Sequence, residues 1–298
     1  MIRNKIIRRV LRNKRVVIAG SVVLFLVIIA MLAPYIAPYP YDKVDFGHIY
    51  QPPSKEYPFG TDYLGRDIFS RIIYGARVSL VVAFSGAAIS FLIGTLWGMT
   101  AGYFKGTVDT LLMRIVDFLY AFPSMLFIIL LMVVFKGGVM QISTTAFIRA
   151  INAIDNAMGG LLFIMIGIGA VSWVGIARLT RGLTLSISSE QYIEAARAIG
   201  NSPVRIILRH VFPNLFGPCV IYVTLQIPGY ILTESFLSFI GLGVIPPTPS
   251  WGGMIAEGCR VLLVYPHAAL FPAAALALTM IAFTFLGDGL RDVLDVSL

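Results

Sequence analysis

Long apolar segments alternate with short polar ones along most of this chain. Six of these segments have the roughly 20 mostly apolar residues that an α-helix needs to cross a bilayer. They lie at residues 16–36, 78–102, 116–135, 161–178, 217–240 and 268–287. The pattern predicts an all-α polytopic membrane protein with six transmembrane helices. We expect Pro123, Pro228 and Pro272 to kink the third, fifth and sixth of them, because proline lacks a backbone N–H donor.

The composition agrees with a lipid environment, since 58% of the 298 residues are hydrophobic and only 13% are charged. Soluble domains carry about a quarter charged residues. The net charge of +8 is compatible with nucleic-acid binding. We nevertheless expect no nucleic-acid partner, because basic residues cluster just before the first apolar segment, as is typical of a membrane anchor. Seven of them stand in the first fifteen positions, with no acid among them: Arg3, Lys5, Arg8, Arg9, Arg12, Lys14 and Arg15.

The charge distribution also predicts how the helices are oriented. Lys and Arg residues next to a span stay on the cytoplasmic side, which places the N-terminus inside, and an even number of spans returns the C-terminus inside as well. Fifteen of the 23 Lys and Arg residues then fall in inner segments and eight in outer ones. The first apolar segment exceeds the about 7–15 apolar residues of a signal peptide, so we expect it to remain as a span.

Two parts of the chain are distinguished on this basis. Residues 1–77 hold the cytoplasmic tail, the first transmembrane helix and an outer segment. Residues 78–298 hold the other five helices and one long inner loop at about 188–214. The chain leaves no length for a separate soluble domain.

Small residues recur every four positions along the second predicted span. They are Gly86, Ser90, Gly94, Gly98 and Gly102. Such a stripe lets another helix approach closely, and close packing replaces the hydrophobic drive that is missing in lipid. We interpret the stripe as a helix-packing surface inside this chain in preference to a subunit interface.

Few ionisable residues fall inside the predicted spans. Asp117 and Asp288 lie near inner ends, each with an arginine three residues away. Glu234 lies deeper, toward the outer end of the fifth span, where a charge costs about 2.5–3.5 kcal/mol on insertion scales. It either lines a transport pathway or makes a structural hydrogen bond to a neighbouring helix. Glu257 is a second candidate for the pathway, where it could meet a peptide amine.

The sequence offers no motif for catalysis or metal binding. It contains neither H-E-x-x-H nor G-x-S-x-G, and it lacks the G-x-x-x-x-G-K-[ST] phosphate loop of ATPases. His48, His210 and His267 all fall in predicted loops. Cys219 and Cys259 fall near opposite membrane faces, so we expect no disulfide between them. No catalytic residue, metal ligand or bound cofactor is therefore predicted in this chain.

Two outer segments carry amphipathic patterns. Within residues 59–80, Asp67 and Arg71 stand four apart and predict a short helix lying against the membrane surface. Residues 136–160 are bounded by Gly137–Gly138 and Gly159–Gly160 and predict a second surface helix. Its apolar positions at helical spacing are Phe147, Ile151, Ile154 and Met158, with Arg149, Asn152 and Asp155 elsewhere on the wheel.

The inner segment 192–214 is charged and rich in alanine, unlike the apolar segments on either side. Ser188 or Ser189 is a candidate N-cap for a helix from about Glu190 to Ile199. A glycine at position 200 permits the left-handed turn that ends a helix. A second helix is expected to start at Ser202-Pro203, to carry Arg205 and Arg209 one turn apart, and to close at Pro213. We predict a rigid two-helix knob on the inner side.

This segment resembles the EAA loop of ATP-binding-cassette importer permeases. The matching residues are Glu194, Ala195, Ala196, Gly200 and Pro213, while His210 and Phe212 depart from the pattern. Four other stretches resemble the dipeptide and oligopeptide permease subfamily: FGTDYLGRDIFSRIIYGARVSL (59–80), ESFLSFIGLG (234–243), PPTPSWGGMI (246–255) and LGDGLRDVLD (286–295). The resemblance covers nearly the whole chain and identifies residues 78–298 as an importer transmembrane domain.

The resemblance implies a heteromeric importer of short peptides in a prokaryotic inner membrane. Its other parts are a second homologous permease, two cytoplasmic ATPases that bind ATP and Mg²⁺, and an extracytoplasmic solute-binding protein. The knob is expected to dock in a groove of an ATPase through Glu194, Ala195, Ala196, Gly200, Arg205, Arg209 and Pro213. Close relatives of the subfamily carry nickel chelates, glutathione or oligosaccharides, which remain alternative cargoes.

Three other classes of function were compared with this one. An intramembrane enzyme requires paired catalytic groups or metal ligands, and the sequence shows none of their motifs. An ion-coupled secondary transporter could use Glu234 as its coupling carboxylate, but the internal repeats typical of that class are not apparent. A structural scaffold would leave the charged inner knob unexplained.

Overall fold

The computed structural model describes residues 12–136 and 146–295. In these two ranges the regular secondary structure is helical, with one isolated β-bridge between Thr61 and Asp67. Five helices are long and apolar enough to cross a membrane, or six if one sharply bent pair counts as a single span. The predicted class, an all-α protein with several membrane spans, is confirmed at this level.

Within residues 14–136 and 146–295, the α-helices are labelled α1 to α13 in chain order. They are α1 Lys14–Met31, α2 Ala33–Ile36, α3 Ile68–Ile89, α4 Thr95–Phe104, α5 Gly106–Ala121, α6 Ser124–Lys136, α7 Ala146–Ala157, α8 Leu161–Ile187, α9 Gln191–Ala198, α10 Pro203–Ile206, α11 Phe212–Phe239, α12 Trp251–Cys259 and α13 His267–Asp295. A 3₁₀ turn spans Phe46–His48, and π turns at Ser90–Gly94 and Ile207–Val211 join α3 to α4 and α10 to α11. Five of the six predicted spans coincide with long helices.

The third predicted span, 116–135, differs from the structure. It begins in the middle of α5 and continues into α6, and these two helices meet at an angle of 84°. Phe122 between them is extended, with φ −85° and ψ 136°, because Pro123 disfavours a helical conformation in the residue before it. The expected kink is therefore a break between two helices. By contrast, Pro228 and Pro272 lie inside the helices α11 and α13.

The stripe of small residues brings α3 and α4 against α8 of the same chain. A Cβ on Gly98 would lie 1.9 Å from Thr180 Oγ1 and 2.2 Å from the carbonyl oxygen of Ala177. Ser90 Oγ donates a hydrogen bond of 2.9 Å to the carbonyl oxygen of Ser172. Close approaches also occur at Gly86, Gly94 and Gly102. Bulkier residues at these positions would push the two helices apart.

The surface helix predicted within 59–80 is wrong. Its helical part begins at Ile68 and runs without a break into the second span. Asp67 is the N-cap, and its Oδ2 accepts a hydrogen bond of 2.8 Å from Ser70 N. Asp67 and Arg71 are both only 3% exposed, so their spacing reflects a capped helix start in the protein interior.

The helix predicted within 136–160 is present as α7, but its buried side is not the predicted one. Phe147 is 70% exposed, whereas Asp155 is only 3% exposed. One oxygen of Asp155 accepts a hydrogen bond of 3.1 Å from the backbone N–H of Phe163, in the first turn of α8. This bond gives the buried carboxylate a donor, and it satisfies an N–H at a helix start that has no acceptor within its own helix. The flanking Gly137–Gly138 pair lies outside the described residues.

Candidate functional site

A compact hairpin of α9 and α10 forms the inner segment. Gly200 between them has a φ of +85°, a left-handed conformation that favours glycine. At the start of α10, Ser202 Oγ accepts a hydrogen bond of 3.4 Å from Arg205 N, and Pro203 occupies the first helical turn. Gly200 thus takes the left-handed turn, and the second helix begins at Pro203 with Ser202 as its N-cap.

The predicted serine cap of the first helix is wrong. Glu190 occupies the N-cap position of α9, and its side chain makes no capping hydrogen bond. Ser188 lies at the C-terminal end of α8, while Ser189 Oγ donates 2.7 Å to the carbonyl oxygen of Ser186. Both serines therefore belong to the end of the preceding helix, since only three residues separate the two helices.

Pro213 does not close the hairpin as predicted. It lies in the first turn of α11, directly after the π turn Ile207–Val211. Residues 203–239 form one helical run of 37 residues that is long and apolar enough to be a single candidate span. The second helix of the hairpin is thus the beginning of a membrane-spanning helix. Pro213 follows directly on the π turn, where the regular i→i−4 hydrogen bonding is already interrupted.

The hairpin buries one set of apolar side chains and exposes another. Ile193 and Ile206 are fully buried and anchor the hairpin to the main hydrophobic core. Ile199, Val204 and Leu208 are 80%, 63% and 60% exposed. We call these three residues the apolar tip. Exposed apolar side chains on a charged hairpin suit a contact with a partner or with lipid.

The apolar tip was missed by the sequence reasoning, which selected small and charged residues. The available signal was the spacing of four between Val204 and Leu208. Of the predicted coupling residues, only Ala196 is buried, at 6% exposure. The others lie exposed on the same hairpin or at its junction with α11: Glu194, Ala195, Gly200, Arg205, Arg209 and Pro213.

A cavity of about 580 Å³ lies among α5, α6, α8 and α11. Its polar lining comes from Tyr120, Ser124, Ser172, Tyr222, Gln226, Tyr230 and Thr233. No Asp, Glu, Lys, Arg or His stands among the lining residues within the described ranges. The cavity therefore offers neutral hydroxyl and amide groups on an otherwise apolar wall. Neither Glu234 nor Glu257 lines it. No motif in the sequence indicates that these four helices meet.

One ion pair lies beside this cavity. Arg178 on α8 donates from Nη2 to Asp117 Oδ1 at 2.6 Å. Its guanidinium carbon also lies 3.9 Å from the ring centroid of Tyr120, a cation–π contact. Asp117 is thus paired across helices and not with the arginine three residues away. A second pair, Arg181 with Asp109 at 2.6 Å, joins the same two helices, α8 and α5.

Glu234 is fully buried between α3 and α11. Ser79 Oγ donates to its Oε2 at 2.9 Å, and Ser238 Oγ donates to its Oε1 at 2.8 Å. Both carboxyl oxygens therefore have a partner within the protein. This is the geometry of the structural hydrogen bond to a neighbouring helix that the sequence left as one of two alternatives.

Glu257 lies in a cluster of charges at the end of the bundle where α3 begins. Arg66 Nη2 lies 3.5 Å from Glu257 Oε2, and Arg71 Nη2 lies 3.8 Å from the same oxygen. Asp62 completes the cluster, with its Oδ2 at 2.7 Å from Arg66 Nε. Burial raises the pKa of the Glu257 carboxyl, and the guanidinium groups of Arg71 and Arg66 act in the opposite direction. The cluster ties α12 to the segment before α3.

The described residues contain no group of three or more His, Cys, Asp or Glu side chains that could hold a metal ion. Cys219 is buried in α11 and Cys259 is exposed at the end of α12, and both are free thiols. The arrangement offers surfaces for binding and movement: the inner hairpin, a neutral cavity and buried contacts between helices.

Comparison with known proteins identifies the family. Residues 94–298 match the family described as "Binding-protein-dependent transport system inner membrane component". Residues 4–53 match the "N-terminal TM domain of oligopeptide transport permease C".

Several relatives are similar along nearly their whole length. The oligopeptide transport system permease protein OppC of Haemophilus influenzae is 40% identical over 290 residues, which cover 97% of this chain and 86% of that protein. The dipeptide transport system permease protein DppC of Bacillus subtilis is 39% identical over 98% of this chain and 84% of its own length. The glutathione transport system permease protein GsiD of Pectobacterium atrosepticum is 38% identical over 98% of this chain and 90% of its own length. The chain therefore belongs to the family of binding-protein-dependent transport system inner membrane components.

Proposed function

We propose that this chain is one of two permease subunits in an ATP-driven importer of short peptides. The relatives named as oligopeptide and dipeptide permeases, at 37–40% identity over nearly the full chain, support the cargo class. The observation that carries the coupling role is the inner hairpin, because it combines buried anchors with an exposed apolar tip.

The proposed topology counts α5 and α6 together as one broken span, giving six in all. The N- and C-termini then both lie in the cytoplasm of a prokaryotic cell, and the hairpin of α9 and α10 faces the same side. The excess of Lys and Arg in the inner segments supports this orientation. The charge cluster around Glu257 then faces outward, toward an extracytoplasmic solute-binding protein.

The hairpin docks on a cytoplasmic ATPase, which holds ATP and Mg²⁺. Ile199, Val204 and Leu208 provide the apolar contact, and Glu194, Arg205 and Arg209 around them fix its register. Each ATPase state binds the hairpin with a different affinity, so ATP binding and hydrolysis shift the balance between the inward- and outward-facing conformations of the permease. Hydrolysis itself takes place in the partner.

The cavity among α5, α6, α8 and α11 forms this subunit's half of the cargo pathway, and a homologous permease supplies the other half. Hydroxyl and amide groups such as those of Tyr222 and Gln226 can form hydrogen bonds with the backbone amides of a peptide. These bonds do not depend on the identity of the peptide's side chains. This is the lining expected for a transporter of peptides with varied sequences. Glu234 stabilises the contact of α3 with α11 and does not meet the cargo.

Glutathione is the second candidate cargo, because permeases named for glutathione transport are 38–39% identical to this chain. It is itself a short peptide derivative and would fit the same neutral lining. Competition between a labelled dipeptide and glutathione for uptake by the assembled importer separates the two. The cargo that inhibits at the lower concentration is the physiological class.

The coupling role is tested with a Leu208→Glu variant of the assembled, reconstituted importer. A charge buried in an interface without a partner costs about 2–5 kcal/mol, so we expect peptide uptake to fall at least about tenfold while membrane insertion is unchanged. Gln191→Glu adds the same charge at an exposed position of α9 and serves as the matched control. Normal uptake by Leu208→Glu would show that the tip is not a docking surface.

An uptake assay with the same importer, reconstituted in vesicles, distinguishes this proposal from an ion-coupled secondary transporter. Dissipating the proton gradient with ATP held constant should leave uptake unchanged. Loss of uptake under that condition would favour the secondary transporter.

A further inference from the structure

An apolar crevice of about 460 Å³ opens between α1 and α3. Val27 and Met31 form one wall, and Leu80, Val81 and Phe84 form the other, with Arg77 at one end. Both helices are candidate membrane spans, so the crevice faces the hydrocarbon region. Its apolar walls suit an acyl chain, and Arg77 adds a positive charge at one end of the crevice.

The arginine lies at the level of one membrane interface. α1 has 18 residues, a length of about 27 Å at 1.5 Å per residue, which is close to the roughly 30 Å of a hydrocarbon core. Met31 at the end of α1 therefore lies near the boundary of the bilayer, and Arg77 lines the same crevice. Tyr74 lies beside Arg77 in the adjoining cavity and packs on Tyr41 at 4.8 Å between ring centroids. Tyrosines are enriched at this depth.

The Arg77 side chain is exposed. Within residues 12–136 and 146–295, no hydrogen bond or ion pair joins it to another residue. The two other arginines near this end of α3 behave differently, since Arg66 and Arg71 both pair with Asp62 and Glu257. A guanidinium remains charged at any ordinary pH and matches a phosphate with two parallel hydrogen bonds.

We propose that this crevice binds one phospholipid, with an acyl chain between α1 and α3 and the phosphate on Arg77. The chain contacts Val27, Leu80, Val81 and Phe84, and the head group lies at the Met31 end of α1. This assignment depends on neither the cargo nor which side of the membrane that end faces. It predicts a preference for anionic lipids, because a choline head group would place a second cation near the guanidinium.

The test is native mass spectrometry of the full chain purified in detergent. The probes are phosphatidylglycerol, phosphatidylcholine, inorganic phosphate and glycerol 3-phosphate. We expect one phosphatidylglycerol to be retained and to bind more tightly than phosphatidylcholine. The two soluble phosphates should neither bind nor displace it. If inorganic phosphate binds as tightly as the lipid, the site is a phosphate site and the lipid assignment is overturned.

Three variants separate the head-group and acyl contacts. Arg77→Gln should weaken retention of phosphatidylglycerol by about fivefold, the effect of one basic residue at a lipid surface. Val81→Trp fills the crevice and should abolish retention, with unfolding temperatures of both variants checked against the unaltered chain. Lys55→Gln removes an exposed charge elsewhere and should change nothing. Equal retention by Arg77→Gln and Lys55→Gln, or unchanged retention by Val81→Trp, would overturn the proposal.

Discussion

Polar side chains in this bundle are paired across helices that are far apart in sequence. Glu234 on α11 is held by Ser79 on α3, and Asp117 on α5 by Arg178 on α8. The buried Glu234 contact satisfies groups that lipid cannot solvate, and both pairs fix which helix faces lie together. The positions of these side chains therefore determine helix register more than any local preference does.

The Glu234 contact is expected to stabilise the protein. Glu234→Ala leaves the hydroxyls of Ser79 and Ser238 without their acceptor, and a buried donor left unpaired costs about 1–3 kcal/mol. Glu234→Gln keeps an acceptor oxygen and should lose less. Thermal unfolding in detergent measures both. Ser85→Ala is the control, because Ser85 Oγ is exposed and bonds only within its own helix.

One outcome would contradict the structural role of Glu234. If Glu234→Ala unfolds at the same temperature as the unaltered protein but abolishes uptake, Glu234 acts on the cargo and does not hold α3 to α11.

The sequence placed Glu234 inside a span but could not choose its role. The choice depended on Ser79, which is 155 residues away, and no local pattern indicates that pair. For the same reason Asp117 pairs with Arg178, 61 residues away, and not with Arg114, which stands three residues from it in the sequence. Periodicity reports which face of a helix is apolar, but a contact between distant helices has no signature in a single sequence.

The element that organises the bundle is the contact between the α3–α4 helix and α8. Its small residues recur at a spacing of four, so this surface was visible in the sequence. Its partner was harder to recognise, because the series Ser172, Thr180 and Thr184 on α8 is interrupted by Ile176. The interdigitation appears only when both helices are in place.

Gly98→Ala tests this contact. The new Cβ would lie 1.9 Å from Thr180 Oγ1 and 2.2 Å from a backbone carbonyl oxygen, so we expect a loss near 3 kcal/mol, about the upper end for overpacking. Gly182→Ala on α8 is the matched control, since nothing lies within 4 Å of its Cβ and alanine favours helix by about 1 kcal/mol. Thermal unfolding should separate them. Equal stability of the two variants would contradict the close contact.

The inner hairpin depends on its glycine turn. Gly200→Ala meets no neighbouring atom within 4 Å, but its φ of +85° costs a side chain about 1–2 kcal/mol. We expect the turn to rearrange, uptake per ATP hydrolysed to fall, and the amount of protein in the membrane to stay the same. Gly217→Ala in α11 also meets open space and should be silent. Unchanged coupling in Gly200→Ala would mean that the turn geometry is not used in docking.

Two prolines show why helix boundaries are hard to derive from sequence. Pro123 follows an extended residue and separates α5 from α6, whereas Pro213 lies within the helical run from 203 to 239. Pro123 was expected to kink the third span, and Pro213 was expected to end the second helix of the inner segment. The outcome depends on whether the preceding residue can stay helical, and after the π turn at Ile207–Val211 it does.

At the scale of the whole molecule, the apolar pattern was sufficient to predict a helical membrane protein. The orientation rests on charge, and it makes a prediction for labelling in intact cells. Cys259 is exposed and should react with a membrane-impermeant maleimide from outside. Arg205→Cys, placed in a Cys259→Ser background, should react only after the cells are permeabilised, because the hairpin lies inside. Labelling of Arg205→Cys in intact cells would reverse the topology.

The unbroken run from Pro203 to Phe239 has a mechanical consequence. At 1.5 Å per residue, its 37 residues measure about 55 Å, longer than the bilayer is thick. It carries the docking tip at one end, Tyr222 and Gln226 near its middle and Glu234 toward the other end. A long helix that pivots near its centre moves its two ends in opposite directions. A displacement of the cytoplasmic end would therefore open one end of the proposed cargo pathway and close the other at the same time.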